Sequence, residues 1–226
     1  YQGVADNEAN FEERKVALTE KMQSLVEKIF TNDRLMVSVT CSDEDYAVAE
    51  QEIVTIKEKL FTDKGIGAPA EFTFEQKNEG FMDASQVQYV ARAGNYRMHG
   101  FDYHGALRIL KVILGYDYLW NNVRVKGGAY GCMSDFRRNG SSYFVSYRDP
   151  NLGKTNETYE KVVEYLNNFE ADEREMTQFI IGTLSGEDTP LTPSAKGKRS
   201  FAAYMSSIDE ALLQKERDEL LSTTKE

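Results

Sequence analysis

A chain of 226 residues, 41% apolar and 12% aromatic with only 4 prolines, has enough apolar side chain for one substantial core, which excludes a disordered tail or a collagen-like repeat. Its 27 Lys and Arg stand against 37 Asp and Glu, and the resulting net charge of -10 opposes capture of a phosphate backbone, so no nucleic-acid partner is expected. No apolar run reaches the roughly 18 residues of a bilayer span, and the opening Tyr1-Gln2-Gly3-Val4-Ala5-Asp6 lacks a basic start, so neither a membrane partner nor a targeting segment is expected in this chain.

From Asn7 to Phe30 the apolar residues Phe11, Leu18, Met22, Leu25 and Ile29 recur at helical spacing and predict an amphipathic helix. Leu35 to Thr40 alternates and is rich in Val, which predicts a strand. Ser42 and Asp45 then resemble a capping box opening a helix that carries Val48, Ile53, Ile56 and Leu60. Residues 1–62 thus read helix, strand, helix. Residues 63–79 hold Gly65, Gly67 and Pro69 with no sustained period and read as a linker, leaving 80–226 as a second domain.

In that second part, alternation around Val90 predicts a strand, and Tyr103 to Trp120 a helix apolar nearly all round and therefore buried. Gly127 and Gly128 break the chain before two strands, Ala129 to Arg137 and Ser142 to Arg148, joined at Asn139-Gly140, a strong signal for a tight hairpin. Helices follow at Glu157 to Asn168, at Asp172 to Leu184 and at Ala195 to Leu221, the last restarting at Ser207 with Glu210 as its capping partner. Helices mixed with hairpin-joined strands predict an α+β fold.

Much familiar chemistry is missing. His99 and His104 are five apart and not the i, i+4 pair of a helical zinc site, so no metal ligands are expected in this chain. Cys41 and Cys132 form no C-x-x-C pair and read as buried free thiols. Neither a G-x-S-x-G elbow nor a G-x-x-x-x-G-K-[ST] loop occurs. The acidic group Glu170, Asp172, Glu173 and Glu175 reads as a charged first helical turn, and Lys196, Lys198 and Arg199 as solvated surface.

One segment differs, Arg124-Val125-Lys126-Gly127-Gly128-Ala129-Tyr130-Gly131. Its small residues let another backbone approach closely, and a tyrosine between them presents its hydroxyl unhindered. With Arg124 it could offer a neutral donor and a cation to one anion or polarised carbonyl. A glycine-rich turn with packed Tyr and Arg explains the pattern equally well.

Together with Phe136, Ser146-Tyr147-Arg148-Asp149-Pro150-Asn151, Gly182, Thr189-Pro190 and Lys196-Gly197, this segment resembles the last domain of the presequence-protease branch of the pitrilysin and insulinase zinc metallopeptidases. The resemblance covers most of 80–221, and the opening helix, strand and helix is similar to the end of the preceding domain. It implies a mainly antiparallel sheet packed against helices, in a peptidase of two halves that close around a chamber. The family's zinc helix, H-x-x-E-H, is absent here, so zinc in the full-length enzyme would be held by the N-terminal half, which is the implied partner alongside peptide substrates. The resemblance further assigns catalytic roles to Tyr130 and Arg124 and substrate contact to Gly127, Gly128 and Ala129. It implies that the chain alone is inactive, that it is truncated before a further strand beyond Glu226, and that the enzyme acts in the cytoplasm or an organelle matrix. A non-catalytic module of the same clan, serving assembly or peptide binding, is the alternative.

Overall fold

Apolar residues at helical spacing wind Phe11–Ile29 into α2, behind a short α1 at Gln2–Ala9. The computed structural model describes residues 2–62, 65, 71, 73 and 77–225, so most of the expected linker at 63–79 lies outside the described residues. The chain divides into two units, Tyr1–Asn78 with Thr192–Phe201, and Glu79–Leu191 with Ala202–Glu226.

In the first unit α3, Asp43–Glu58, starts where the sequence predicts. The Asp45 amide donates to Ser42 Oγ, and that hydroxyl in turn donates to the Asp45 carboxylate at 2.7 Å. The predicted strand Leu35 to Thr40 has no ladder partner among the described residues. Thr40 lies instead against Gly197 of α8, Pro193–Met205, and a helix offers no free backbone groups for a ladder. A parallel bridge between Thr31 and Phe61 ties the ends of the segment together. Cys41 is exposed and not buried as expected, because it belongs to this unpaired stretch.

The second unit contains a three-stranded antiparallel sheet in the order β1-β3-β2, with β1 at Gln88–Asn95, β2 at Gly131–Phe136 and β3 at Ser141–Asp149. Helices cover one face: α4 at Ala106–Ile113 running into a π-helical segment at Leu114–Val125, then α5 at Leu152–Glu160 and α6 at Val162–Asn167. Val90 on the sheet meets Leu114, Leu119, Val123, Tyr159 and Val162 in the main core. A second cluster joins Ile109 and Ile113 of α4 to Leu220 of α9, Glu210–Leu221, with Phe179 and Leu184 of α7, Glu173–Glu187. The α+β reading therefore holds, although the long apolar helix is not buried all round, since Tyr116 and Trp120 face outward.

The hairpin forms with a wider turn than predicted. The Gly140 amide donates to the Arg137 carbonyl and Gly140 alone in the loop has positive φ, which is a type I turn closed by a left-handed glycine. Helix α9 starts from Asp209, whose side chain accepts from the Leu212 amide, two residues beyond the expected Ser207. Ser207 itself sits at φ 53 and ends the previous helical run.

Candidate functional site

The π-helical segment places Trp120 and Arg124 on one side, with the Arg124 guanidinium 4.2 Å from the Trp120 ring centre. A wide closure then ends it. The Gly128 amide donates to the Arg124 carbonyl and the Ala129 amide to the Val123 carbonyl. That pair of bonds is a Schellman end enlarged to fit the wider helix. Gly128 takes φ 79, which suits glycine, and a side chain at Gly127 would collide with the Val123 carbonyl. Asn151 clamps the loop by donating to the Gly127 carbonyl.

The loop delivers Tyr130 to the start of β2, where it is 57% exposed. Its ring lies 5.8 Å from the Arg124 guanidinium and 5.4 Å from the Tyr147 ring, and its hydroxyl has no hydrogen-bond partner among the described residues. Gly131 sits directly opposite Tyr147 in the ladder, and any Cβ there would strike the Tyr147 ring. The glycine after Tyr130 is therefore the floor on which Tyr147 rests.

A second arginine arrives by a different device. Val90 pairs with Ser146 and Gln88 with Asp149, so Tyr89 faces two residues, Tyr147 and Arg148, across a β-bulge. Strict alternation would turn Arg148 inward behind Phe144 and Ser146. The bulge, with Arg148 at φ 49, puts Asp149 inward and Arg148 outward. Asp149 is fully buried and accepts from Ser146 Oγ at 2.5 Å, Thr155 Oγ1 at 2.8 Å and the Asn151 amide at 2.8 Å. Arg148 ends 5.8 Å from the Tyr130 ring centre. Neither Arg124 nor Arg148 has a carboxylate within ion-pair distance among the described residues.

Of the five candidate site residues, Arg124, Gly128 and Tyr130 reach the surface, whereas Gly127 and Ala129 are buried. Burial pushes the Cys132 thiol up, with Arg124 pulling the other way, so it is a poor nucleophile here. His104 lies 3.9 Å from Glu219 and accepts from the Ala106 amide. Among the described residues no group of three or more His, Cys, Asp or Glu could hold a metal ion. Asp172 and Glu175 form a reciprocal capping box, the structural role expected of the acidic cluster. No helix among the described residues is long and apolar enough to cross a membrane.

Residues 78–226 match the family model described as the PreP C-terminal domain. The chain is 43% identical over 213 residues to Protein HypA of Clostridium perfringens, a match covering 93% of this chain and 22% of that protein. It is 35% identical over 149 residues to Presequence protease 1, chloroplastic/mitochondrial, of Arabidopsis thaliana, covering 66% of this chain and 14% of that one. The chain therefore spans about a fifth or less of the length of these relatives. Among solved structures, a protease from Helicobacter pylori aligns with a TM-score of 0.53 at 18% identity, over 77% of this chain and 47% of that one. A peptidase M16 inactive domain from Pseudomonas fluorescens aligns at 0.51 and 18% identity, over 79% and 45%. Both likenesses are of fold.

Proposed function

The chain belongs to the PreP C-terminal domain family, and from that membership we propose that it is the C-terminal, zinc-free part of a zinc metalloendopeptidase that degrades peptides in a closed chamber. In this reading residues 1–62 end the preceding peptidase-like domain, 63–79 link, and 80–226 form the last domain. The family match beginning at residue 78 supports the second boundary. The catalytic metal belongs to the N-terminal half, since the described residues of this chain do not fit it. The chloroplastic and mitochondrial designation of the Arabidopsis relative supports an organelle matrix for eukaryotic members, with the cytoplasm as its bacterial counterpart.

Tyr130 and Arg124 act on the scissile peptide. Attack on a peptide carbonyl moves negative charge onto its oxygen, and a phenol O–H held in place stabilises that charge without reorganising. The exposed Tyr130 hydroxyl, with no partner in its own domain, is the observation that carries this role. Arg124, steadied on Trp120, adds a cation beside it. Gly128 leaves the substrate backbone room to approach, while the buried Gly127 and Ala129 hold the loop in shape.

The test is Tyr130→Phe in the full-length protein. Loss of one such donor should lower kcat about 100- to 1000-fold, with zinc content by elemental analysis unchanged. Wild-type kcat in that variant would remove the role, and a full-length protein that binds peptides without cleaving them would favour a non-catalytic module.

A further inference from the structure

Arg148 is unclaimed by the peptidase reading, yet the fold spends a bulge and a left-handed backbone on aiming it outward. A non-glycine residue in that conformation persists where the surroundings over-determine it, as the buried Asp149 knot does here. The adjacent carboxylate does not neutralise the arginine, because Asp149 is turned inward and saturated by three donors. In a chain of net charge -10, Arg124 and Arg148 thus stand 5.8 Å from one exposed phenol ring with no anion of their own among the described residues.

We infer that Arg148 is a specificity residue that binds a carboxylate of the peptide, borne by an Asp or Glu side chain near the scissile bond or by the peptide's C-terminus. The inference rests on the peptidase reading above for its ligand, a peptide. Arg124 then serves the reacting carbonyl and Arg148 the flanking carboxylate, with Tyr147 and Tyr130 giving the chain between them an aromatic surface. A guanidinium suits the task because its planar fork matches a carboxylate in two hydrogen bonds.

The experiment measures equilibrium binding of labelled peptides to the full-length protein after chelation of metal, so that turnover does not enter. Two matched pairs are compared: Glu against Gln beside the cleaved bond, and a free C-terminus against its amide. Wild-type protein should bind the charged member of at least one pair about tenfold more tightly, the lower end of what hydrogen bonds to a charged group give. Whichever pair discriminates identifies the source of the carboxylate. Arg148→Gln and Arg148→Gly, the latter compatible with φ 49, should abolish that preference and leave the uncharged peptides within twofold. A wild type indifferent to both pairs, a preference that survives both variants, or an equal loss for charged and uncharged peptides would each overturn the inference. Turnover is read separately: unchanged kcat in Tyr130→Phe would reject only the role of Tyr130, whereas a wild type that shows the Arg148-dependent preference but cleaves no peptide would reject the peptidase reading and keep the carboxylate site.

Discussion

Arg148 shows at single-residue scale how recognition and stability pull apart. The left-handed conformation costs a residue with a Cβ about 1–2 kcal/mol, which glycine avoids, against about 0.4–1 kcal/mol of extra unfolded-chain entropy that glycine brings. Arg148→Gly should therefore be as stable to denaturant as wild type or up to about 1.6 kcal/mol more stable, while losing the carboxylate preference. A midpoint lower by more than that range would mean that the side chain is held for packing. The exposure of Tyr130 was legible in the sequence because Ala129 and Gly131 on either side of it are small, and Arg124 was singled out by its place six positions before that tyrosine. Arg148 was not, since alternation from Ser146 turns it inward, and only the pairing with β1, more than fifty positions earlier in the chain, creates the bulge that turns it out. The same limit applies to Gly127 and Ala129, whose burial depends on the helix end folding back over them.

Elements read from local pattern alone came out well where apolar spacing and caps mark them, whether or not a core covers the apolar face. The helices α2, α3 and α7 begin within a few residues of their predicted starts, because apolar spacing and caps are local signals. The strand expected at Leu35 to Thr40 finds no partner among the described residues, and pairing is something no local pattern reports. Edge strand β2 illustrates how an element is tied down by charge. Burial alone would raise the Asp135 carboxyl, but hydrogen bonds from Lys111 of α4 and from Arg137 outweigh it and hold the group below its ordinary value of 3.8. A carboxyl lowered in the folded state adds stability that is complete above the unfolded value and is lost as pH falls through the folded one. Asp135→Asn should therefore cost stability at pH 7, with the gap to wild type closing below about pH 4. Urea midpoints at several pH values read this directly, and a constant gap down to pH 2 would show that the pairs contribute nothing through titration. The exposed ends of Lys111 and Arg137 keep the expected effect to about 1 kcal/mol at most.

At the scale of the whole chain, the two units differ in what they bury. Glu79–Leu191 with Ala202–Glu226 encloses both core clusters, and Glu216, 2% exposed, joins Arg108 of α4 and Arg138 of the hairpin in one ion network inside it. A buried carboxylate paired with two guanidinium groups is costly to break once formed, on the order of 3–5 kcal/mol, so it locks α9 to the hairpin tip. In the first unit, Thr31 is the sole buried residue among those described, and Phe11, Met22, Leu25 and Ile29 of α2 are each more than half exposed. Helical periodicity made α2 predictable but could not say whether its apolar face has anything to cover it. Isolated helices draw most of their stability from such packing. Residues 79–226 expressed alone should thus show a single cooperative thermal transition with native near-ultraviolet dichroism, whereas residues 2–62 should lose helicity gradually on heating, with no transition. A sharp, cooperative melt of the 2–62 peptide at micromolar concentration, independent of concentration, would show that its helices find a core within those residues, and the contrast drawn between the two units would fall.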